Sequence, residues 1–337
     1  MPMIPCPPSA RGVSAQVPQA TRSTKPEVET KPLHLTATCT INPGSSSGVN
    51  AVALQNPLGT PMEIHEIKWS AVTLNNATNS SALKAQQLTK VNGAALRCRL
   101  DLGKIEITNG YIPVCLFGKG DHASNEAILQ RLGTVPSPTD GYSRLEFRWK
   151  LSHPLYIPAG GLLAPSFEHG GQIDAPIDVR VGFSARSLPA GHKPSKLILP
   201  WVASYISPSF DLTEDVIFQS SELDLVNKWD SPLTVDRISG RLSVFDNTSV
   251  GVFDSPWMGL VALKTRLVDS AGNAIVRSMT PLSHVFHNTM KGWEMKATLP
   301  AQGYYQAFFQ NTGQNTTENR FFAQALVGIV GSREVVK

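Results

Sequence analysis

Charge is scarce in this 337-residue chain: Asp, Glu, Lys and Arg make up only 17% of it, and the formal net charge is +4. Such a slight, mixed excess gives no footing for a nucleic acid or an anionic membrane as partner. Long apolar runs are missing too, since no stretch approaches the roughly 18 uninterrupted apolar residues of a membrane span. The start, Met1-Pro2-Met3-Ile4-Pro5-Cys6-Pro7-Pro8, lacks a positive segment followed by an apolar one, so no secretory signal is expected. There are four cysteines, Cys6, Cys39, Cys98 and Cys115, with no C-x-x-C pair and no disulfide-dense spacing, which fits a reducing site of synthesis. Phosphate-binding loops and dinucleotide fingerprints are absent. Turn formers, by contrast, are abundant, with 26 glycines and 25 prolines. That composition predicts an all-β protein of strands joined by many turns, and the length is enough for two domains that each bury a core.

The chain repeats itself once. Asn56-Pro57-Leu58-Gly59-Thr60-Pro61-Met62-Glu63-Ile64-His65-Glu66-Ile67 lies over Asn227-Lys228-Trp229-Asp230-Ser231-Pro232-Leu233-Thr234-Val235-Asp236-Arg237-Ile238 at a constant offset of 171 (227 − 56 and 238 − 67). Further on, Ile157-Pro158-Ala159-Gly160-Gly161 is matched by Leu299-Pro300-Ala301-Gln302-Gly303, and Val181-Gly182-Phe183 by Val327-Gly328-Ile329, in the same order. In the first pair of segments the alternation of two is broken by a step of three at one place, between Ile64 and Ile67 and between Val235 and Ile238. An extra residue in a strand is the sequence form of a β-bulge, and two in register point to duplicated geometry.

The predicted organisation is an arm over residues 1–32, a first module over 33–190, a second over 191–331 and a tail over 332–337. The arm holds seven prolines, no aromatic residue, four basic and two acidic side chains, and cannot bury enough apolar surface to offset the entropy of ordering. It either orders against a neighbouring subunit or inner layer, or is an idle end. Leu33, Leu35, Ala37 and Cys39 then alternate as a strand does, up to the Asn42-Pro43-Gly44 turn. The clearest strand is Arg144–Leu151, with apolar odd and charged even positions, and Trp293–Leu299 alternates in the same phase relative to its following turn. Pro61–Pro158 is longer than Pro232–Pro300 by 29 residues (97 against 68). Two helix-like insertions, Ser81–Leu88 and Ser124–Leu132, account for much of the difference. The crossover between modules is expected within Ser187–Pro194.

Candidate chemistry is thin. Gly44-Ser45-Ser46-Ser47-Gly48 satisfies G-x-S-x-G, but Ser46 sits in a turn between strands and not in the strand-to-helix elbow a nucleophile needs. His284 and His287 have metal-ligand spacing without the Glu of a zincin motif. Asp211, Glu214, Asp215, Glu222 and Asp224 form an acidic run, and oxygen-rich loops hold Ca²⁺; the weak metal candidates are Asp211, Glu214 and Asp215, although the EF-hand ligand order is missing. The sequons at Asn76, Asn79, Asn247 and Asn315 are read as products of Asn- and Thr-rich loops. Trp149, Trp201, Trp229, Trp257 and Trp293 are tens of positions apart and suit cores or subunit contacts better than a stacking platform.

With the arm, the two tandem β-modules and the missing chemistry in view, the chain resembles the major capsid proteins of the double jelly-roll lineage, found in adenovirus-type capsids and in tailless, membrane-containing icosahedral bacteriophages. The resemblance covers the organisation of residues 33–331. It implies two eight-stranded jelly rolls per chain with short helical insertions in loops, three chains to a pseudo-hexagonal capsomer, and a place in the virion shell. It further implies no enzymatic role, no cofactor and no small-molecule substrate. The partners it implies are the chain itself, minor capsid or vertex proteins, and an internal membrane or the genome reached through the arm. Two rival readings are a carbohydrate-binding or carbohydrate-active β-sandwich protein, and a single-jelly-roll coat protein with a protruding domain.

Overall fold

The computed structural model describes residues 31–42, 49–50, 53–73, 96–117, 119–120, 144–169, 176–211, 213–246, 263–282, 285, 293–312 and 321–335. Residues 1–30, Ser46, the segments 81–88 and 124–132, His284, His287 and the four sequons lie outside them. Among the described residues the first module has strands β1 (Pro32–Ile41), β2 (Val49–Asn50), β3 (Leu54–Gln55), β4 (Met62–Thr73), β5 (Leu96–Leu102), β6 (Ile105–Glu106) and β7 (Ile112–Pro113). It continues with a single helical turn α1 (Val114–Phe117), then β8 (Lys119–Gly120), β9 (Arg144–Ile157), β10 (Leu162–His169) and β11 (Ile177–Ser187). The second has β12 (Leu197–Ile206), β13 (Phe210–Asp211), β14 (Asp215–Gln219), β15 (Leu233–Asp246), β16 (Leu263–Asp269), β17 (Ala274–Pro281), β18 (Trp293–Leu299), β19 (Tyr305–Thr312) and β20 (Phe321–Val335).

The main strands of the two modules pair in one order. In the first, β1-β11-β4-β9 form one sheet and β2-β10-β5-β6 the other; in the second the sheets are β12-β20-β15-β18 and β14-β19-β16-β17. Counted one to eight within a module, both give 1-8-3-6 packed on 2-7-4-5. That is a jelly roll, made twice. Alternation sets the packing: Val179, Val181 and Phe183 of β11 point into the first core while Asp178, Arg180 and Ser184 point out of it.

The repeat seen in the sequence holds at the level of single hydrogen bonds. Asn56 Nδ2 donates to the carbonyls of Thr60 and Pro158 at 2.9 and 3.0 Å, and Leu58 N donates to Asn56 Oδ1 at 3.0 Å. Asn227 Nδ2 donates to the carbonyls of Ser231 and Pro300 at 2.9 and 2.8 Å, and Trp229 N to Asn227 Oδ1 at 3.1 Å. Each buried amide ties the turn before the third strand to the turn after the sixth. The bulges match as well: pairing slips at His65 in β4, between Ile64 and Glu66, and at Asp236 in β15, between Val235 and Arg237, positions again 171 apart (236 − 65). Gly182 pairs with Lys68 and Gly328 with Ser239, which extends the same register to the last strand of each module.

Because each Asn side chain is itself buried and bonds several backbone groups, truncating it leaves those groups without their partner. Asn56→Ala and Asn227→Ala are each expected to cost about 2–3 kcal/mol of stability. Chemical denaturation checks this, and the two costs should agree within about 0.5 kcal/mol if the networks are equivalent.

Two boundaries move. Lys31 already belongs to the first module, exchanging hydrogen bonds with Ser187 through Lys31 N to Ser187 Oγ and Ser187 N to the Lys31 carbonyl, both 2.9 Å. At the other end, residues 332–335, expected as tail, continue β20. The reason is packing: Ser332 and Arg333 are buried, and the Arg333 guanidinium stacks 3.3 Å from the Trp229 ring centroid. The short turn α1 was not anticipated by any helical pattern, and all four of its residues are buried.

Candidate functional site

The feature that dominates the molecule is the contact between its two modules. The outer face of the β12-β20-β15-β18 sheet is covered by a flank of the first module. Val202, Leu326 and Val330 point out of the second core and join the first module's hydrophobic cluster. Burying each is worth about 1.5–3 kcal/mol. The otherwise free edge of β12 is occupied too. Val202 N donates to the Ile107 carbonyl at 3.2 Å and Asn109 N to the Val202 carbonyl at 2.8 Å, adding residues 107–109 alongside the edge.

Polar groups lock the same contact. Arg237, buried at the bulge of β15, donates through Nη2 to the carbonyls of Leu116 and Phe117 at the end of α1. Four residues of helix leave their carbonyls without intrahelical donors, and the guanidinium supplies one. Burial pushes the Arg237 pKa down to about 10, with Glu294 and Asp236 opposing that shift, so the group stays charged at neutral pH. Gly328 lets α1 approach, because a Cβ there would stand 2.9 Å from Leu116 Cβ. Ser152 Oγ donates to Asp236 Oδ2 at 2.6 Å, Tyr156 Oη to the His192 carbonyl at 2.9 Å and Asn109 Nδ2 to the Asp224 carbonyl at 3.2 Å. Apolar burial and charge-assisted hydrogen bonds together make the two modules one body.

No protein-family model matches the chain, and no curated protein matches it. Among solved structures it is similar to VP54 of PBCV-1, fitted into a cryo-EM reconstruction of the virophage Sputnik. That similarity is at 11% identity with a TM-score of 0.41, over 92% of this chain and 96% of that one. It is similar to the major capsid protein P2 from bacteriophage PM2 at 10% identity with a TM-score of 0.36, over 89% of this chain and 98% of the other. The mavirus major capsid protein gives 10% identity and a TM-score of 0.34, over 98% and 97%. Identities and scores this low carry no weight by themselves, and the jelly-roll assignment rests on the strand order.

Among the described residues, none covers the first module's corresponding sheet face in this way. Along β1 its outward positions are His34, Thr36, Thr38 and Thr40, all exposed; on the neighbouring strands they are Asp178, Arg180 and Arg186, then Glu63, Glu66 and Lys68. Short-range pairs hold these charges: Lys68 to Glu66 at 3.0 Å and Arg186 to Glu63 at 2.8 Å.

The acidic run does not gather at one point. Asp211 Oδ1 accepts from Thr213 N and Oγ1 at 2.9 and 2.7 Å, closing a turn before β14, whereas Asp224 Oδ2 accepts from Ser221 N and Oγ at 2.7 and 2.9 Å in a turn after it. Glu214 presents its backbone carbonyl to Asn311 Nδ2 at 2.6 Å, and Asp215 is exposed at the start of the strand. Among the described residues no group of three or more His, Cys, Asp or Glu is placed to hold a metal ion.

Arg237, Val202, Leu326, Val330 and α1 escaped the sequence reading. A signal for part of them exists. Ala323–Val330 is nearly unbroken apolar sequence, as strands buried on both faces are, while β11 keeps the alternation of a strand with one wet face.

Proposed function

We propose that this chain is a structural shell protein, a major capsid protein that associates as homotrimers and tiles an icosahedral viral capsid. The observation that carries the reading is the jelly roll made twice in one chain, with the two copies fixed side by side through a mainly apolar contact. Three such bodies supply six comparable wedges for a pseudo-hexagonal block.

The polarity of each module supports the same reading. The strand ends Thr73, Leu96, Arg144, His169 and Ile177 lie at one pole of the first module, and Asp246, Leu263, Trp293, Thr312 and Phe321 at the matching pole of the second; the sequence separations between them are the long ones. The opposite pole is closed by short turns such as 158–161 and 300–303. A block with one loop-rich and one smooth end suits a shell with an outside and an inside. Under this reading the first module, whose connections are longer in sequence, forms the more outward part, and the arm's partner is a neighbouring subunit or an inner layer. Minor capsid or vertex proteins are further partners under this reading.

The reading assigns the chain no chemical step and no cofactor. Ser46→Ala, and His284→Ala combined with His287→Ala, are expected to leave oligomer mass and particle formation unchanged, which sedimentation checks. Electron microscopy of the purified protein tests the reading as a whole: three-fold particles with a near-hexagonal outline are expected, and isolated single bodies at every concentration would overturn it.

A further inference from the structure

The second module holds two buried arginines in opposite circumstances. Arg237 and Arg333 are each 8% exposed. Arg237 directs Nη2 at the carbonyls of α1 and has Glu294 and Asp236 nearby. Arg333 sits on β20 between Leu199 of β12 and Leu233 of β15, with its guanidinium 3.3 Å from the Trp229 ring centroid. Stacking occupies one face of the guanidinium, whereas its N–H donors point outward in its plane. Among the described residues none accepts a hydrogen bond from them or forms an ion pair with them. Burial pushes the Arg333 pKa down, and no neighbouring charge opposes that shift. Trp229 Nε1, sealed from solvent, is likewise without an acceptor. A buried cation is costly unless an anion or several acceptors answer it, so this one calls for a partner.

The pair departs from the duplicated plan. Arg333 pairs with Leu233 as Ser187 pairs with Met62, and Trp229 stands 171 positions after Leu58 (229 − 58), so the first module has Ser187 and Leu58 in these places. There Ser187 exchanges hydrogen bonds with Lys31, and no cation is needed. The jelly roll itself therefore does not demand a guanidinium against an indole at this position. We propose that Arg333, backed by Trp229, anchors a binding site for a small oxyanion of the phosphate class. A guanidinium held flat by a ring presents paired N–H groups in a fixed fork, which matches two oxygens of a phosphate group. The indole on one side and the small share of Arg333 left open limit the ligand to a small one, and the low local dielectric strengthens the attraction. The ligand is thus a free ion or a phosphate monoester, and binding it requires only the single folded chain.

Thermal melting and tryptophan fluorescence of the full chain, titrated with inorganic phosphate against sodium chloride of equal ionic strength, test this. Phosphate is expected to raise the melting midpoint saturably, by about 2–4 °C at about ten times its Kd, and to change the fluorescence over the same concentrations. Trp229→Phe, which keeps a stacking face, should retain the rise and lose the fluorescence change. Arg333→Met should show no rise beyond that in chloride. If that variant does not fold, Arg333→Lys takes its place: it keeps the charge, loses the fork, and is expected to bind phosphate about ten-fold more weakly. Glycerol 3-phosphate, titrated separately, assigns the site to monoesters if its response matches that of phosphate and to the free ion if it does not. A parent chain that responds to phosphate no differently from chloride, or an Arg333→Met or Arg333→Lys chain with the full phosphate response, would overturn the proposal.

Discussion

Gly331→Ala should destabilise the second module by about 3 kcal/mol or more, the larger end of what overpacking costs. A Cβ at this position would stand 2.3 Å from the Thr234 carbonyl oxygen and 3.2 Å from Val235 Cα. Both neighbours are backbone, and both belong to the bulge where β15 slips against β20 between Val235 and Arg237. Relief would require breaking pairing in the central strands of the sheet. Gly328→Ala makes a useful comparison, because there the obstacle is the Leu116 side chain at the module contact. Relief requires moving the buried turn α1, which can shift more readily than the paired backbone of β15, for an expected cost of about 1–2 kcal/mol. Denaturant titrations of the two variants should keep that ranking. Equal midpoints for Gly331→Ala and the parent would mean that the bulge geometry is wrong.

Val330→Lys is the second change with a large expected effect. Val330 pairs with Arg237 and faces the first module, so an ammonium there enters an apolar contact beside the like-charged, buried guanidinium. An uncompensated charge in such a place costs about 3–5 kcal/mol. Its counterpart in the first module is Ser184, which pairs with Glu66 on the outward face of that sheet. Ser184→Lys should stay within about 0.5 kcal/mol, as surface substitutions do. The same strand position is thus critical in one module and tolerant in the other, and melting curves of the isolated chain distinguish them.

How much of this could be read from residues alone depends on whether the information was local. The Asn56 and Asn227 segments, the Pro-Ala-x-Gly turns and the step of three at His65 and Asp236 are local, and the structure reproduces each at matching positions. Trp149 and Trp293 do share a register position, as the matched strands suggested, but one ring stacks among Trp69 and Phe117 while the other meets water. The difference lies across the sheet, where Gly240 stands at the counterpart of Trp69, and no pattern within β9 or β18 reveals it. The contact between modules was illegible for the same reason. Arg237 and α1 are 120 residues apart in sequence, and only the folded chain brings the guanidinium to the Phe117 carbonyl. The acidic run spans β14: Asp211 and Glu214 share the turn before the strand, and Asp224 closes a turn after it.

As a capsid building block of the proposed kind, this two-module body is one third of a ring. Native mass measurement of the purified full chain, across concentrations from below to well above micromolar, decides between that assembly and a monomer. The expected result is a particle of three times the 36.4 kDa chain mass that falls toward single chains on dilution. A stable mass of one chain throughout that range would contradict it.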